Sequence, residues 1–219
     1  MDNLSFNTHN IGKLINLAGR QRMLSQRIAF LASASTLFKD LSGQLDETIK
    51  LFEQSHAILV QGSHEFPSCD VNIELREFYL GKGQGDQKIK DYLKMAREVV
   101  KGSSTETSQF FSFAANGIVP LLEGAVNIYH KISLQISNEM TANLQNKDKV
   151  VKETLSCMAD IAKQTKLISF NSSIIAARSG DVGKEFSVVV IEINKLIGEM
   201  NILIESGLAY IDKNSELKK

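Results

Sequence analysis

Apolar residues recur every three to four positions along most of this chain, which is the spacing of an amphipathic α-helix. On a helix predicted from about residue 10 to 38, one row of mostly large residues has this spacing and is expected to face a core. That row consists of Leu14, Leu17, Gln21, Leu24, Ile28 and Leu31. Only 2 prolines in 219 residues interrupt such patterns, so the fold class is predicted to be all-α.

A second row on the same helix has the same spacing but consists of smaller residues around one arginine. Its members are Ile11, Ile15, Ala18, Arg22, Ser25, Ala29 and Ala32. Small residues let another helix approach closely, so this row is predicted to form a helix–helix contact across the axis of a homodimer. A guanidinium buried there needs a negative partner. A small anion between two Arg22 side chains would supply it, with Gly19 leaving room for the anion. Alternatively, Arg22 extends to solvent or pairs with an acidic neighbour.

The segments that follow predict further helices separated by breaks. Apolar spacing over residues 41–60 predicts a helix that returns antiparallel to the first. Gly62–Asp70, which contains a proline, and the glycine-rich Gly81–Gly85 are expected to be loops. Another helix is predicted over about 86–100, and Gly102–Ser104 is expected to end it.

The last predicted helix is long and connects two domains. It starts at Thr105, and Pro120 is expected to kink it or to begin a helix there. From there it runs without an evident break into a helical hairpin. The predicted architecture is a four-helix-bundle sensor over 1–145, continuing into an antiparallel, coiled-coil-like hairpin over 146–219 with its tip near 179–183.

Apolar rows on both limbs of the hairpin support this architecture. The returning limb has Phe186, Val190, Ile193, Ile197, Met200, Ile204, Leu208 and Ile211 at coiled-coil spacing. The outgoing limb has Val151, Leu155, Met158 and Ala162, then the small residues Ser169, Ser172 and Ala176. The rows predict that the limbs pack against each other. A stalk that serves only dimerisation is the alternative.

Residues 161–196 resemble, without a gap, the cytoplasmic tip of bacterial chemoreceptors, the methyl-accepting chemotaxis proteins. The resemblance is carried by Gln164, Thr165, Asn171, Ala176, Ala177, Arg178, Gly180, Gly183, Phe186, Val188, Val189 and Glu192. It implies the chemotaxis histidine kinase and its coupling protein as candidate partners. The residues expected to signal or to contact those partners are Gln164, Phe170, Asn171, Arg178, Asp181 and Phe186.

The tip also departs from the family pattern. Ile175 stands where the family has glutamate, Lys166 where it has asparagine, and Glu185 where it has glycine. An apolar side chain in place of a charge changes the surface that the tip offers. Two outcomes stay open: an altered partner, or a kinase output that is weak or absent. Adaptation by methylation is not expected, because no convincing paired Glu/Gln methylation site is recognisable.

Residues 16–27, NLAGRQRMLSQR, resemble the opening helix of the PilJ-type sensor domain. They are also similar to the nitrate-binding motif of nitrate/nitrite sensor kinases, which has the form AGxxRMxSxR. Ala115–Leu122 resembles the start of the last helix of the same domain, so the resemblance extends over roughly residues 8–140. It implies that Arg22 binds nitrate between the paired first helices of a dimer, with Gly19 nearby. Nitrite or another small oxyanion is the second choice.

Composition and charge argue against several other classes of protein. Basic and acidic residues balance at 25 each, so no nucleic-acid partner is expected. His9, His56, His64 and His130 show no metal-ligand spacing, and no catalytic or nucleotide-binding motif is recognisable. No enzyme activity, catalytic residue, metal or cofactor is therefore predicted. Cys69 and Cys157 are expected to be free thiols.

No targeting segment and no run of roughly 20 apolar residues is recognisable. The protein is therefore expected to be soluble and cytoplasmic, without a membrane span. The combined hypothesis is a homodimeric sensor in which anion binding shifts the first helix relative to the last and so changes the hairpin tip. Two alternatives remain. One is a ligand-blind rod that joins or modulates chemoreceptor arrays, and the other is a regulator unrelated to motility that reuses both modules.

Overall fold

The computed structural model describes residues 4–99 and 104–216, and its regular secondary structure in these ranges is entirely helical, as predicted. The α-helices in this part of the chain are α1 (Thr8–Leu37), α2 (Ser42–Gln61), α3 (Ile73–Tyr79), α4 (Gly85–Val99), α5 (Ser104–Phe113), α6 (Val119–Arg178) and α7 (Gly183–Glu216). They form two compact units, Met1–Glu139 and Met140–Lys219. The predicted helix end at Val100 and most of the predicted break at Gly102–Ser104 lie outside the described residues, whereas α5 already begins at Ser104.

Helix α1 begins at a reciprocal cap. The Asn7 side chain accepts hydrogen bonds from the backbone N–H groups of His9 and Asn10, at 2.9 and 3.0 Å. The Asn10 side chain in turn accepts from the Asn7 backbone at 2.9 Å. The two asparagines thus satisfy donors that every helix leaves unpaired at its first turn.

The first row of α1 faces the core of the first unit, as predicted. Leu14, Gln21, Leu24, Ile28 and Leu31 are buried, and Leu17 is partly buried. The core also takes large side chains from the other helices of this unit: Phe52, Tyr79, Tyr92, Phe110 and Tyr129. Together, α1, α2, α4 and the run formed by α5 and the start of α6 make the predicted four-helix bundle, with the short α3 added.

The row of small residues on α1 is largely covered by the chain itself. Ile11, Ala18, Ser25 and Ala32 are buried within a single chain, because α2 and α4 pack on α1 and short side chains permit that approach. The prediction that this row contacts a second chain is therefore wrong for its buried members. Arg22 is the exposed exception.

A π-helical segment, Ala114–Ile118, separates α5 from α6. The Val119 N–H donates to the Ala114 carbonyl, five residues earlier. Pro120 explains this widening, because its ring clashes with the carbonyl four residues before it and it has no N–H to donate. The expectation that Pro120 kinks or begins a helix is confirmed, since α6 begins at Val119.

In the second unit, α6 and α7 form the predicted hairpin around the 3₁₀ turn Gly180–Val182. The row on α7 is confirmed: Val190, Ile197, Ile204 and Ile211 are buried, Ile193, Met200 and Leu208 are partly buried, and Phe186 is exposed. On α6, Ala162, Ser169 and Ala176 are buried, with Leu155 and Ser172 partly buried. Val151 and Met158 are exposed, so their assignment to this packing row was wrong.

Two glycines permit the tight turn at the hairpin tip. Gly180 has φ 62°, a left-handed conformation that a side chain strains. A Cβ at Gly183 would overlap the carbonyl oxygen of Ala176. Because small side chains also fill α6 near the tip, the limbs can approach closely where the chain reverses.

One helical segment within the described ranges, Thr107–Arg178, passes a test for membrane spans by length and composition. Of its most apolar stretch of 18 residues, 22% is buried. The expectation that no run of this kind exists is therefore not met. The same segment contributes Phe110, Ile118 and Leu122 to the core of the first unit, and core helices of soluble proteins pass the same test.

Candidate functional site

Arg22 lies on α1 and pairs with Glu123 of α6. Its Nη1 atom is 3.3 Å from Glu123 Oε1, and the two side chains are 48% and 53% exposed. The sequence left open whether Arg22 binds an anion, extends to solvent or pairs with an acidic residue. In the single chain it pairs with an acidic residue, Glu123. Glu123 was missed because 101 positions separate it from Arg22, and nothing in the local pattern connects them.

Gly19 leaves open space on the same helix, one turn before Arg22. A Cβ built there would meet no atom within 4 Å, and the residue is half-buried. Gly19 belongs to a solvent-facing row with alternating spacings of four and three, which we call the exposed row of α1. Its members are Gly12, Asn16, Gly19, Met23, Gln26, Phe30, Ser33 and Leu37.

The exposed row of α1 has the spacing of a coiled-coil contact. Met23, Phe30 and Leu37 are 59%, 68% and 80% exposed and recur every seven residues. The dimer contact was predicted at the neighbouring small-residue row, although the seven-residue interval of Met23, Phe30 and Leu37 is visible in the sequence. Gly19 is therefore a member of the exposed row of α1, and Arg22 lies beside it.

Buried hydrogen bonds hold the backbone around Arg22. The Ser25 hydroxyl donates to the Arg22 carbonyl at 2.8 Å, and the Tyr92 hydroxyl donates to the Ser25 carbonyl at 2.6 Å. Tyr92 stacks on Phe110 of α5 with ring centroids 5.3 Å apart. Burial raises the pKa of Tyr92, so its hydroxyl stays protonated and remains a donor. The backbone of α1 at Arg22 and Ser25 is thus connected through Tyr92 of α4 to Phe110 of α5.

Gln21, next to Arg22, is fully buried. Neither its amide nitrogen nor its amide oxygen has a hydrogen-bond partner among the described residues. A buried amide without partners is destabilising. Gln21 therefore fills the core row at a cost that an apolar side chain would not have.

The six residues predicted at the hairpin tip are all exposed: Gln164, Phe170, Asn171, Arg178, Asp181 and Phe186. They lie along the two limbs, and Phe170 also lines a small open pocket with Lys166 and Asn194. Asp181 pairs with Lys184 at 2.6 Å beside the turn. The three residues that depart from the family pattern, Lys166, Ile175 and Glu185, are exposed as well, so the departures change the surface offered to a partner.

Each limb of the hairpin also carries an exposed apolar row outside its packed core. On α6 this row is Ile161, Ile168 and Ile175, and on α7 it is Val189, Leu196, Leu203 and Tyr210, each at seven-residue intervals. The exposed fractions run from 52% for Val189 to 72% for Leu203. Regular apolar rows of this kind mark surfaces that pair with another protein or another copy.

Within the described residues, no group of three or more His, Cys, Asp or Glu side chains could hold a metal ion. Cys69 is a buried free thiol and Cys157 an exposed one, as predicted. Burial raises the pKa of Cys69 to about 11, so this thiol stays protonated and unreactive near neutral pH.

Comparison with protein families finds two domains in the chain. Residues 5–106 match the PilJ family, described as the N-terminal part of type IV pili methyl-accepting chemotaxis transducers. Residues 125–202 match the signalling domain of methyl-accepting chemotaxis proteins. Arg22 and Gly19 lie in the first match and the hairpin tip in the second. Ala115–Leu122, which resembles the last helix of the PilJ-type domain, lies in neither.

Curated relatives point to the same class of protein. The chain is 33% identical to methyl-accepting chemotaxis protein McpA of Bacillus subtilis over 104 residues, which are 48% of this chain and 15% of McpA. It is 40% identical to McpC of the same organism over 57 residues, 26% of this chain and 9% of McpC. It is 36% identical to McpK of Pseudomonas aeruginosa over 63 residues, 29% of this chain and 10% of McpK. No solved structure matches the chain.

The two matches thus lie in different parts of the chain, a PilJ-type N-terminal domain first and a signalling domain of the methyl-accepting chemotaxis proteins after it. This class consists of signal transducers and not of enzymes. The matched part spans 15% or less of the length of these three relatives.

Proposed function

We propose that the protein is a homodimeric, cytoplasmic signal transducer of the chemoreceptor type that responds to a small anion. Nitrate is the first choice of ligand, and nitrite or another small oxyanion is the second. The anion binds at Arg22 and Gly19, where α1 helices of two chains meet. The observation that carries the proposal is the ion pair between Arg22 and Glu123, because it joins the candidate binding residue to the helix that continues into the hairpin.

In this mechanism the anion competes with Glu123 for Arg22. The Glu123 carboxylate and a planar oxyanion offer the same kind of oxygen acceptors to a guanidinium. Glu123 is half exposed, so its pair with Arg22 contributes only about 0–1 kcal/mol and can be exchanged for a ligand. When the anion replaces the Glu123 carboxylate at Arg22, the ion pair between α1 and α6 is lost. The anion changes the output only as far as it binds the separated state more tightly than the paired one.

Exposed apolar rows support the homodimer. The exposed row of α1 combines Gly12 and Gly19 with Met23, Phe30 and Leu37, so a second α1 can approach closely near Gly19 and bury apolar side chains further along. The rows on α6 and α7 have the spacing that a four-helix coiled coil of two hairpins requires. In such a dimer two Arg22 side chains approach each other, and an anion between them lowers their repulsion.

The proposed output partners are the chemotaxis histidine kinase and its coupling protein. The match of residues 125–202 to the signalling domain supports this choice, as does the exposure of all six predicted tip residues. Ile175 at 62% exposure gives the tip an apolar contact where the family pattern has a charge. We therefore propose that the contact with the kinase is more apolar and less charge-dependent than the family pattern implies.

The cytoplasmic location is part of the proposal. The candidate membrane span contributes Phe110, Ile118 and Leu122 to the core of the first unit, and it contains Glu123, which pairs with Arg22. Both features suit a bundle helix surrounded by protein and water. Fractionation of cells expressing the chain is expected to find it in the soluble fraction, whereas recovery in carbonate-washed membranes would contradict this part.

Isothermal titration calorimetry with nitrate tests the binding claim, with nitrite, sulfate and chloride as comparisons. We expect saturable nitrate binding at one anion per two chains, lost in Arg22→Ala. Arg20→Ala is the matched control, because Arg20 is exposed on the same helix and should leave binding unchanged. No heat and no thermal stabilisation with any of these anions would refute the proposal. Equal losses in both variants would show that only general charge matters.

A ligand-blind rod is the second candidate, and one observation favours it. Glu123 already neutralises Arg22 within the single chain, so the arginine does not need a ligand. In that case Arg22→Ala changes dimer or fold stability slightly and no anion binds with saturation. The calorimetric comparison therefore separates the two functions.

A further inference from the structure

A cavity lies in the first unit, away from Arg22. None of its lining residues comes from α1. Its volume is about 680 Å³, and it opens between α2, α4 and the segment that connects them. Eight of its twelve lining residues are polar or charged: Glu53, His56, Gln61, Ser68, Asp70, Asp86, Lys90 and Arg97. Ala57, Val60, Leu80 and Leu93 supply the apolar part. The volume is within the range of pockets that bind small molecules.

The charges on the cavity wall alternate in sign. Arg97 Nη2 is 2.9 Å from Glu53 Oε1, and Lys90 Nζ is 2.6 Å from Asp86 Oδ2. Lys90 and Arg97 lie seven residues apart on α4 and therefore on the same face. Asp70 adds a carboxylate that is 60% exposed and 3.6 Å from the guanidinium of Arg76. Cationic and anionic groups thus stand side by side along one opening.

One polar group of the wall is held rigidly. His56 is 6% exposed, and its Nε2 atom lies 2.8 Å from Asp86 Oδ1. Asp86 therefore contacts His56 through one oxygen and Lys90 through the other. This arrangement fixes the Asp86 carboxylate and, through it, the position of the Lys90 ammonium.

We infer that this cavity binds a small zwitterion, a compact molecule with one carboxylate and one ammonium group on an apolar body. Arg97 and Lys90 contact the carboxylate, Glu53 and Asp70 contact the ammonium, and Val60 and Leu93 pack against the body. The guanidinium has five N–H donors, and the bond to Glu53 occupies only its Nη2 side. A second carboxylate can therefore be bound without removing the first.

The balance of charges favours a zwitterion over a simple anion. The lining has three carboxylates, Glu53, Asp70 and Asp86, and the two cations Lys90 and Arg97. Arg76 pairs with Asp70 from outside the lining, so three cations match the three carboxylates. A simple anion therefore adds net charge to a wall whose charges are already balanced. A simple amine leaves the two cations of α4 unused. A zwitterion meets both signs and adds no net charge. The site is independent of the anion proposed at Arg22, because the two share no residue.

Thermal unfolding and titration calorimetry with four zwitterions, glycine, L-alanine, L-leucine and glycine betaine, test this inference. 4-Methylpentanoate, which is leucine without its amino group, and 3-methylbutylamine, which is leucine without its carboxylate, are the matched comparisons. We expect at least one zwitterion to bind with saturation, and the two comparison compounds to bind at least about tenfold more weakly, because each loses one charged contact.

Two variants locate the site. Arg97→Met and Glu53→Gln are each expected to weaken binding of that zwitterion about tenfold. Both side chains are less than half exposed but lie at the surface, and circular dichroism establishes that each variant is folded. Lys94→Met serves as the control, because Lys94 is an exposed cation of α4 outside the cavity lining, and it should leave this affinity unchanged. The inference is overturned if none of the four zwitterions binds, if a comparison compound binds as tightly, or if both folded variants retain full affinity.

Discussion

Replacing Glu123 by glutamine separates competition at Arg22 from a merely structural ion pair. The substitution keeps the size of the side chain and removes its charge. If Glu123 occupies the position that an anion would take, Glu123→Gln lowers the free energy needed to release Arg22. Nitrate affinity is then expected to rise. A neutral amide also repels the anion less than a carboxylate does.

The size of the effect follows from the exposure of the pair. The side chains are 48% and 53% exposed and 3.3 Å apart, so the pair contributes up to about 1 kcal/mol. Since about 1.4 kcal/mol corresponds to a factor of ten in affinity, nitrate should bind up to about fivefold more tightly. The free energy of unfolding should fall by no more than about 1 kcal/mol.

Titration calorimetry at fixed low ionic strength measures the change, with Glu139→Gln as the control. Glu139 is an exposed glutamate on the same helix, so its substitution makes the same change in net charge away from Arg22. An equal rise in nitrate affinity in both variants would show that the effect comes from net charge alone. Unchanged or weaker nitrate binding in Glu123→Gln alone would refute competition and would instead make Glu123 a helper in ligand binding.

Three further predictions concern the core, the pH response and the dimer. Gln21→Met removes a buried amide without partners and should raise the free energy of unfolding by about 1–2 kcal/mol, measured by urea denaturation; a loss of stability would reveal a hydrogen bond that the amide makes. Burial lowers the pKa of His56 from 6.5 although Asp86 opposes it, so the residue stays neutral when folded and takes up a proton more readily when unfolded. The contribution of neutral His56 to the free energy of unfolding is present above about pH 6.5 and is lost as the pH falls from there towards the folded pKa. His56→Gln should therefore flatten the dependence of stability on pH, measured by urea denaturation at several pH values. The same pH dependence in the variant would exclude His56 as its source. Leu203→Lys charges the exposed apolar row of α7 and should weaken self-association in sedimentation equilibrium at least about tenfold. Ala209→Lys makes the same change in charge at an exposed position on a different face of the same helix and should not weaken it. Equal behaviour of the two variants would exclude this row from the dimer contact.

Helical periodicity was enough to predict the helices and most of the core. The row of Leu14, Leu24 and Ile28 is buried as predicted, and the α7 row from Val190 to Ile211 packs within the hairpin. Amphipathic spacing identifies a buried face because a helix repeats every 3.6 residues. The glycines at 180 and 183 likewise marked the turn, since few other residues fit its backbone.

Periodicity does not say which helix covers a given face, and the misassignments follow from this limit. The small-residue row of α1 was assigned to a second chain, but Ala18 and Ala32 are already buried within a single chain, in which α2 and α4 pack on α1. The partner of Arg22 lies 101 residues away, so only the tertiary fold brings the two charges together. The cavity between α2 and α4 was missed for the same reason, because Glu53 and Arg97 belong to separate helices.

In the proposed mechanism, an anion bound at Arg22 changes the hairpin through α6. Hydrogen–deuterium exchange of the full chain, with and without saturating nitrate, tests it most directly. We expect a change in amide protection around Arg22 and Glu123 together with one in residues 160–196. Both changes should be absent in Arg22→Ala and present in Arg20→Ala. Nitrate binding that alters protection only near Arg22, or hairpin changes that persist in Arg22→Ala, would contradict the coupling.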